Sequence, residues 1–175
     1  MIKTIFTFAV LFICAFLFNP VPAGAESIGG ISLGDNISKV QTSLGKPSEK
    51  QDIGKNQVKY IWEKGDNILK VVALNNLVEY VQASAGISSK GETKTFATKK
   101  GIYPGSLGKA IEKLYGKARA DYVYPSEDCF VFNYKTGKNE QLIFRIYGFA
   151  DRGAVVIDVI LCRPGYSKDK IWKEN

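Results

Sequence analysis

The chain has 175 residues, 24 of them Lys or Arg against 17 Asp or Glu, for a formal net charge of +7, and it contains no histidine. The missing imidazole excludes Ser-His-Asp and Cys-His nucleophile systems and the commonest metal ligand, and a zinc site would need more Cys and His than the chain has. The positive charge is scattered, with Lys99-Lys100 the longest purely basic run, so it reads as a solvated surface suited to anionic partners.

The first element in chain order is an export signal. Lys3 supplies a short positive start, and Ile5 to Phe18 is apolar apart from Thr7. Asn19, Pro20 and Pro22 break the run, and Ala23-Gly24-Ala25 is the small-x-small pattern that a signal peptidase accepts. The run of 14 residues is shorter than the roughly 20 a spanning helix needs. Cys14 lies inside it without the small preceding residue of a lipidated cysteine. Residues 1–25 are therefore expected to be a signal peptide cleaved after Ala25, with no transmembrane segment afterwards. Lys3 is the only charge among them, so 23 basic and 17 acidic residues follow, net +6. Export places the product in the periplasm or cell envelope or outside the cell. Its anionic partners are then wall polymers, lipid head groups or acidic proteins, not nucleic acid.

Beyond the leader the sequence repeats itself at an offset of 71 residues. Gly30-Ile31-Ser32-Leu33-Gly34 recurs as Gly101-Ile102-Tyr103-Pro104-Gly105, and Leu44-Gly45-Lys46 recurs as Tyr115-Gly116-Lys117. Each copy predicts a short helix. In the first, Asp35 caps the start, Ile37, Val40 and Leu44 form an apolar stripe, and Gly45 and Pro47 end it. In the second, Ser106 caps, Leu107, Ala110, Ile111, Leu114 and Tyr115 form the stripe, and Gly116 ends it.

Three β-branched or aromatic runs bounded by turn residues follow each helix. They are Val58 to Glu63, Ile68 to Leu74 and Leu77 to Ala83 in the first copy. In the second they are Cys129 to Tyr134, Gln141 to Tyr147 and Ala154 to Cys162. The expected fold is α+β, with two tandem repeats, each a short helix packed on a three-stranded antiparallel meander. Repeat one covers 26–84, a linker 85–100, repeat two 101–162 and a polar tail 163–175. Thr95 to Thr98 is a candidate extra strand within the linker.

Gly-Ile-x-x-Gly followed by Asp or Ser, then a short helix, Leu- or Tyr-Gly-Lys and a three-strand meander, resembles two families. These are the β-lactamase inhibitor proteins and the small outer-membrane assembly lipoproteins of the SmpA/OmlA type. The tandem arrangement is more similar to the inhibitors. The resemblance covers most of residues 29–162 and implies a fold in which a concave sheet face is the binding surface.

The acids remaining for hydrolytic chemistry are Glu63, Asp121 and Glu127-Asp128, in a chain whose 17 acids offer many such pairs. Asp158 interrupts the apolar run Val155 to Leu161. A hairpin turn near residues 150–151 would set it opposite Arg145 as a structural ion pair, with Ile143 facing Ile160 and Tyr147 facing Val156. Lys70 and Glu79 are the analogous pair in the first copy. Cys129 and Cys162 are a candidate disulfide in an oxidising compartment, yet an up-down-up meander puts them at opposite ends of their strands. Both outcomes stay open.

Tyr60 and Trp62 share one strand face, whereas Phe130, Phe132 and Tyr134 fall on the opposite parity at the offset of 71. Either the offset slips by one between helix and strand, or one copy shows aromatics on an open sheet face. In the second case Tyr60 and Trp62 are binding residues, with Tyr122 and Tyr124 near the loop mouth next. These observations lead to an expectation of an exported, non-enzymatic binding protein, inhibitor- or adaptor-like, without cofactor or metal. It would dock a protein partner on an open sheet face. The alternatives are association with an anionic wall polymer or polysaccharide and, after it, a carboxylate-based hydrolase.

Overall fold

A computed structural model of the chain describes residues 25–85, 94–117, 120–124, 129–149, 153–164 and 166, with the backbone alone for 94, 120–124 and 149. Residues 1–24 of the expected leader and most of the expected tail lie outside this range. Turn chemistry spaces the strands. Lys55-Asn56 and Asn75-Asn76 all have φ between 50° and 66°, the left-handed region in which Asn is tolerated and which tight two-residue hairpins require. The first turn joins β1 (Glu49–Gly54) to β2 (Gln57–Lys64) and the second joins β3 (Asn67–Leu74) to β4 (Leu77–Ala85), with Gly65-Asp66 between β2 and β3. The second series is β5 (Ala120–Tyr124), β6 (Cys129–Gly137), β7 (Glu140–Phe149) and β8 (Gly153–Cys162).

The strands form a single antiparallel sheet in the order β1-β2-β3-β4-β8-β7-β6-β5. This corrects the expected fold of two helix-plus-three-strand repeats. The six expected strands are present, but each series has a fourth strand, and β4 pairs with β8 from Tyr80↔Cys162 to Ser84↔Asp158. The two series therefore share one sheet. The extra strand β1 escaped the hydrophobic pattern for a physical reason. Every residue of β1 is exposed, so its sequence EKQDIG carries no apolar alternation, as suits a charged edge strand.

Two helices, α1 (Ile37–Leu44) and α2 (Gly108–Tyr115), lie on one face of the sheet. Ile37, Val40 and Ile111 join Leu69, Val71, Val81, Phe144 and Val159 in one buried cluster. At eight residues each they depend on that packing for stability. Their starts are tied to the sheet alike. Gly34 N–H donates to Val78 O at 2.7 Å and Gly105 N–H to Val156 O at 2.7 Å, while the Val78 and Val156 N–H groups donate back to Asp35 O and Ser106 O. The expected caps are corrected. Asn36 caps α1, its Oδ1 accepting from Ser38 N–H at 2.9 Å, and no side chain caps α2. Asp35 and Ser106 instead accept from the N–H three residues earlier, those of Ser32 and Tyr103.

The parity question resolves as a slip. Tyr60 and Trp62 are 3% and 5% exposed on the helix side, and Phe132 and Tyr134 pack against the same cluster. The aromatic offset is thus 72 where the helix offset is 71. Trp62 Nε1–H donates to Gly45 O, and Tyr134 O–H donates to Gly116 O, both at 2.9 Å. Each ring satisfies a carbonyl at a helix C-terminus that would otherwise lack a partner. The segment expected to be linker also enters the core. Lys94–Phe96 is a 3-10 turn rather than a strand, Phe96 is buried, and Thr98 bridges to Ile28.

The candidate disulfide is not formed. Cys129 pairs with Tyr147 and Cys162 with Gln141, six positions apart on the intervening β7. That is about 20 Å along the strand, beyond the roughly 7 Å a bridge tolerates. Both thiols are buried, and burial pushes the Cys162 thiol up to about 12 from 9.0.

Two measurements check this packing. Trp62→Ala should cost about 3–5 kcal/mol in urea denaturation, since it removes a buried ring and a helix-end hydrogen bond. Iodoacetamide should label neither cysteine in the native protein and both after unfolding. Because the Cys162 thiol is raised in the folded state, its contribution to stability is whole below pH 9 and is lost as pH rises towards 12. A Cys162→Ala variant should show a shallower alkaline decline than the parent.

Candidate functional site

The second sheet face carries no helix among the described residues. Direct cross-strand partners share a face in an antiparallel sheet, so the pairings define its rows. One row runs Ile61, Lys70, Gln82, Ile160, Ile143 and Asn133. The adjacent one runs Glu63, Ile68, Ser84, Asp158, Arg145 and Val131. Part of this face is covered within the chain. Val72, Tyr80, Val131, Ile143, Ile160 and Cys162 form a second buried cluster against which Tyr166 packs, its ring 5.2 Å from that of Tyr80.

Asp158 sits in the middle, 2% exposed. Its Oδ2 is 2.5 Å from Arg145 Nε, and its Oδ1 accepts from Ser84 Oγ at 2.5 Å and from Gln82 Nε2 at 3.1 Å. Tyr80 O–H donates to Gln82 Oε1 at 2.6 Å, and Gln82 Nε2 also donates to Ser84 Oγ at 3.0 Å. A carboxylate this deep requires such partners, because an unpaired buried charge is costly. The network opens into a groove of about 320 Å³ lined by Ile61, Ile68, Lys70, Gln82, Arg145 and Ile157. Ile68, on its rim, is 40% exposed.

The expected site residues separate accordingly. Arg145 and Asp158 come together in the expected register, and Ile143 faces Ile160. A bulge at Ile157 sets Tyr147 opposite Val155 rather than Val156. Lys70 and Glu79 do not meet. Lys70 lies opposite Gln82, and Glu79 pairs with Arg163 at 2.9 Å. Tyr60 and Trp62 are corrected as surface binding residues, because both rings are buried beneath the helices on the opposite face. Tyr122 and Tyr124 lie on β5, paired with Val131 and Cys129, and their side chains are outside the described residues.

Of the candidate acids, Glu63 borders the groove. The side chain of Asp121 and residues 127–128 fall outside the description. Among the described residues no group of three or more His, Cys, Asp or Glu is placed to hold a metal ion. The sequence reading missed Tyr80, Gln82 and Ser84. Their signal was present as polar side chains alternating with Val81 and Ala83.

No family model matches the chain, and no curated protein matches it in sequence. Among solved structures it is similar to a DUF4309 family protein from Bacillus subtilis, at 16% identity and a TM-score of 0.49, over 77% of this chain and 83% of that one. It is also similar to a cysteine-rich secretory protein from Staphylococcus aureus, at 10% identity and a TM-score of 0.47, over 75% of this chain. A third is an extracellular protein containing an SCP domain from Bacillus anthracis, at 11% identity and a TM-score of 0.44, also over 75% of this chain. The chain spans 44% of the length of each of these last two. All three scores lie below 0.5, too low for a shared architecture or activity to follow.

The Asp158 network makes a double-mutant cycle informative. Asp158→Asn or Arg145→Met alone should cost about 3–5 kcal/mol, because each leaves a buried polar group without its partner. Asp158→Asn combined with Arg145→Met should cost clearly less than the sum of the two, as read by chemical denaturation.

Proposed function

We propose that the chain is an exported, non-enzymatic binding protein that docks a protein partner on the helix-free face of its sheet. The groove beside Asp158 carries this reading. Exposed Ile68 offers an apolar contact next to Lys70 and the Arg145–Asp158 pair, whose geometry is already set by Gln82 and Ser84. Preorganised polar groups around an apolar contact bind with little further ordering cost. The Asp158 oxygens are engaged by Arg145, Ser84 and Gln82, an arrangement suited to holding the face in shape rather than to moving protons. The resemblance to inhibitor-type proteins, with their concave sheet surface, points the same way.

Export rests on the leader pattern from Lys3 to Ala25. No helix of the described residues is long and apolar enough to cross a membrane. The net charge of +6 that remains after residue 25 favours an acidic partner and steers its approach.

The test is capture from envelope and culture-supernatant extracts by the exported protein. Ile68→Arg should abolish capture without changing Tm. Leu114→Arg, at an exposed position of α2 on the helix side, should leave capture intact. Binding should also persist in about 0.5 M salt, where charge-led attraction is screened to a few ångströms. Capture that survives Ile68→Arg and collapses in salt would instead assign the protein to an anionic wall polymer.

A further inference from the structure

Glu26 is 6% exposed, whereas Ala25 immediately before it is exposed. The Glu26 carboxylate joins three parts of the chain. Its Oε1 accepts from Ser27 N–H at 3.0 Å and Lys99 N–H at 2.8 Å, and its Oε2 accepts from Tyr115 O–H at 2.9 Å. Tyr115 O–H also lies 2.9 Å from Thr98 Oγ1, and Lys100 Nζ stands 4.4 Å from the centre of the Tyr115 ring. The Glu26 backbone nitrogen points another way, to Glu140 Oε1 at 3.0 Å, where Thr136 Oγ1 donates to the same oxygen at 2.7 Å. Glu140 is 8% exposed and opens β7, directly after the β6–β7 turn.

Glu140 is thus a buried carboxylate held against the Glu26 nitrogen, and a buried anion calls for a cation. The atom already in place against Glu140 is a neutral amide nitrogen as long as residue 25 is attached. It is also the nitrogen that cleavage after Ala25 would release. We propose that Glu140, assisted by Thr136, is a receptor for the α-ammonium of Glu26, so that removal of the leader completes a buried ion pair and locks the amino terminus onto the β6–β7 hairpin. In the step, a signal peptidase adds water across the Ala25–Glu26 peptide bond. Ala25 leaves with the carboxylate, and the Glu26 nitrogen takes up protons to become an ammonium.

No rearrangement of the main chain is required, since the nitrogen is already at hydrogen-bond distance. Charge strengthens that bond. A chain still carrying its leader has the same contact without the charge, and so is held less firmly. The inference rests on the export reading above and adds to it a structural consequence of processing.

The experiment uses the full chain expressed with its own leader in an exporting host, the product being checked by mass spectrometry. A second form carries Gly-Ser inserted between Ala25 and Glu26, so that processing leaves two additional residues. Each form is also made with Glu140→Gln. The product beginning at Glu26 should melt roughly 3–6 °C above the extended form, and Glu140→Gln should erase that difference. An amine-reactive label should modify the native α-amine at least about tenfold more slowly than in the urea-unfolded chain, because reaction would require local opening. This readout needs no variant.

Equal melting of the two forms, a difference that survives Glu140→Gln, or rapid native labelling of a product that begins at Glu26 would overturn the ion pair while leaving export intact. A product beginning elsewhere would overturn the processing position and, with it, the receptor.

Discussion

The pairing of β4 with β8 is the constraint on which the rest of the structure depends. Each series of strands would otherwise be a small sheet with an open hydrogen-bonding edge and one short helix to cover it. Five residue pairs, from Tyr80↔Cys162 to Ser84↔Asp158, close both edges at once and, among the described strands, leave β1 and β5 at the margins. The joint also runs through the core, since Val81, Ala83, Val159 and Leu161 are buried in the cluster that packs against the helices. A sheet of this width can support helices of eight residues that would not persist alone.

The same joint generates the candidate binding face. Asp158 belongs to β8, Gln82 and Ser84 to β4, and Arg145 to β7, so the network exists only because strands from the two series are neighbours. Its energetic role follows from burial. A solitary carboxylate at this depth would oppose folding, whereas one bonded to Arg145, Ser84 and Gln82 fixes register and leaves the surrounding side chains, Ile68 and Lys70 among them, in a defined arrangement. Shape at the groove is therefore tied to the stability of the joint beneath it.

Much of this was legible in the sequence, and the omissions have physical causes. The turn residues and β-branched runs located six strands. The single acid in the run Val155 to Leu161 located the Arg145 partner, because burial makes an unpaired Asp158 untenable. The β4–β8 pairing was not legible. Strand-to-strand assignment across 76 positions, as between Gln82 and Asp158, leaves no local periodicity, and both strands simply read as buried. β1 was missed because an exposed edge strand has no apolar face. Tyr60 and Trp62 pointed to a surface only while the spacing between helix and strand was assumed constant. One additional residue in the second copy puts the aromatics of both on the helix side. The role of Glu26 was also hidden, because a glutamate after a cleavage pattern looks like the start of a solvated terminus.

Native-state hydrogen exchange tests the joint most directly. A single sheet closed at β4–β8 predicts that the amides of Val81, Ala83, Val159 and Leu161 exchange only by global unfolding, with the same free energy and denaturant dependence as the rest of the core. Exchange of these amides through a lower-energy opening, with β2, β3, β6 and β7 remaining protected, would show two separable units and contradict the account.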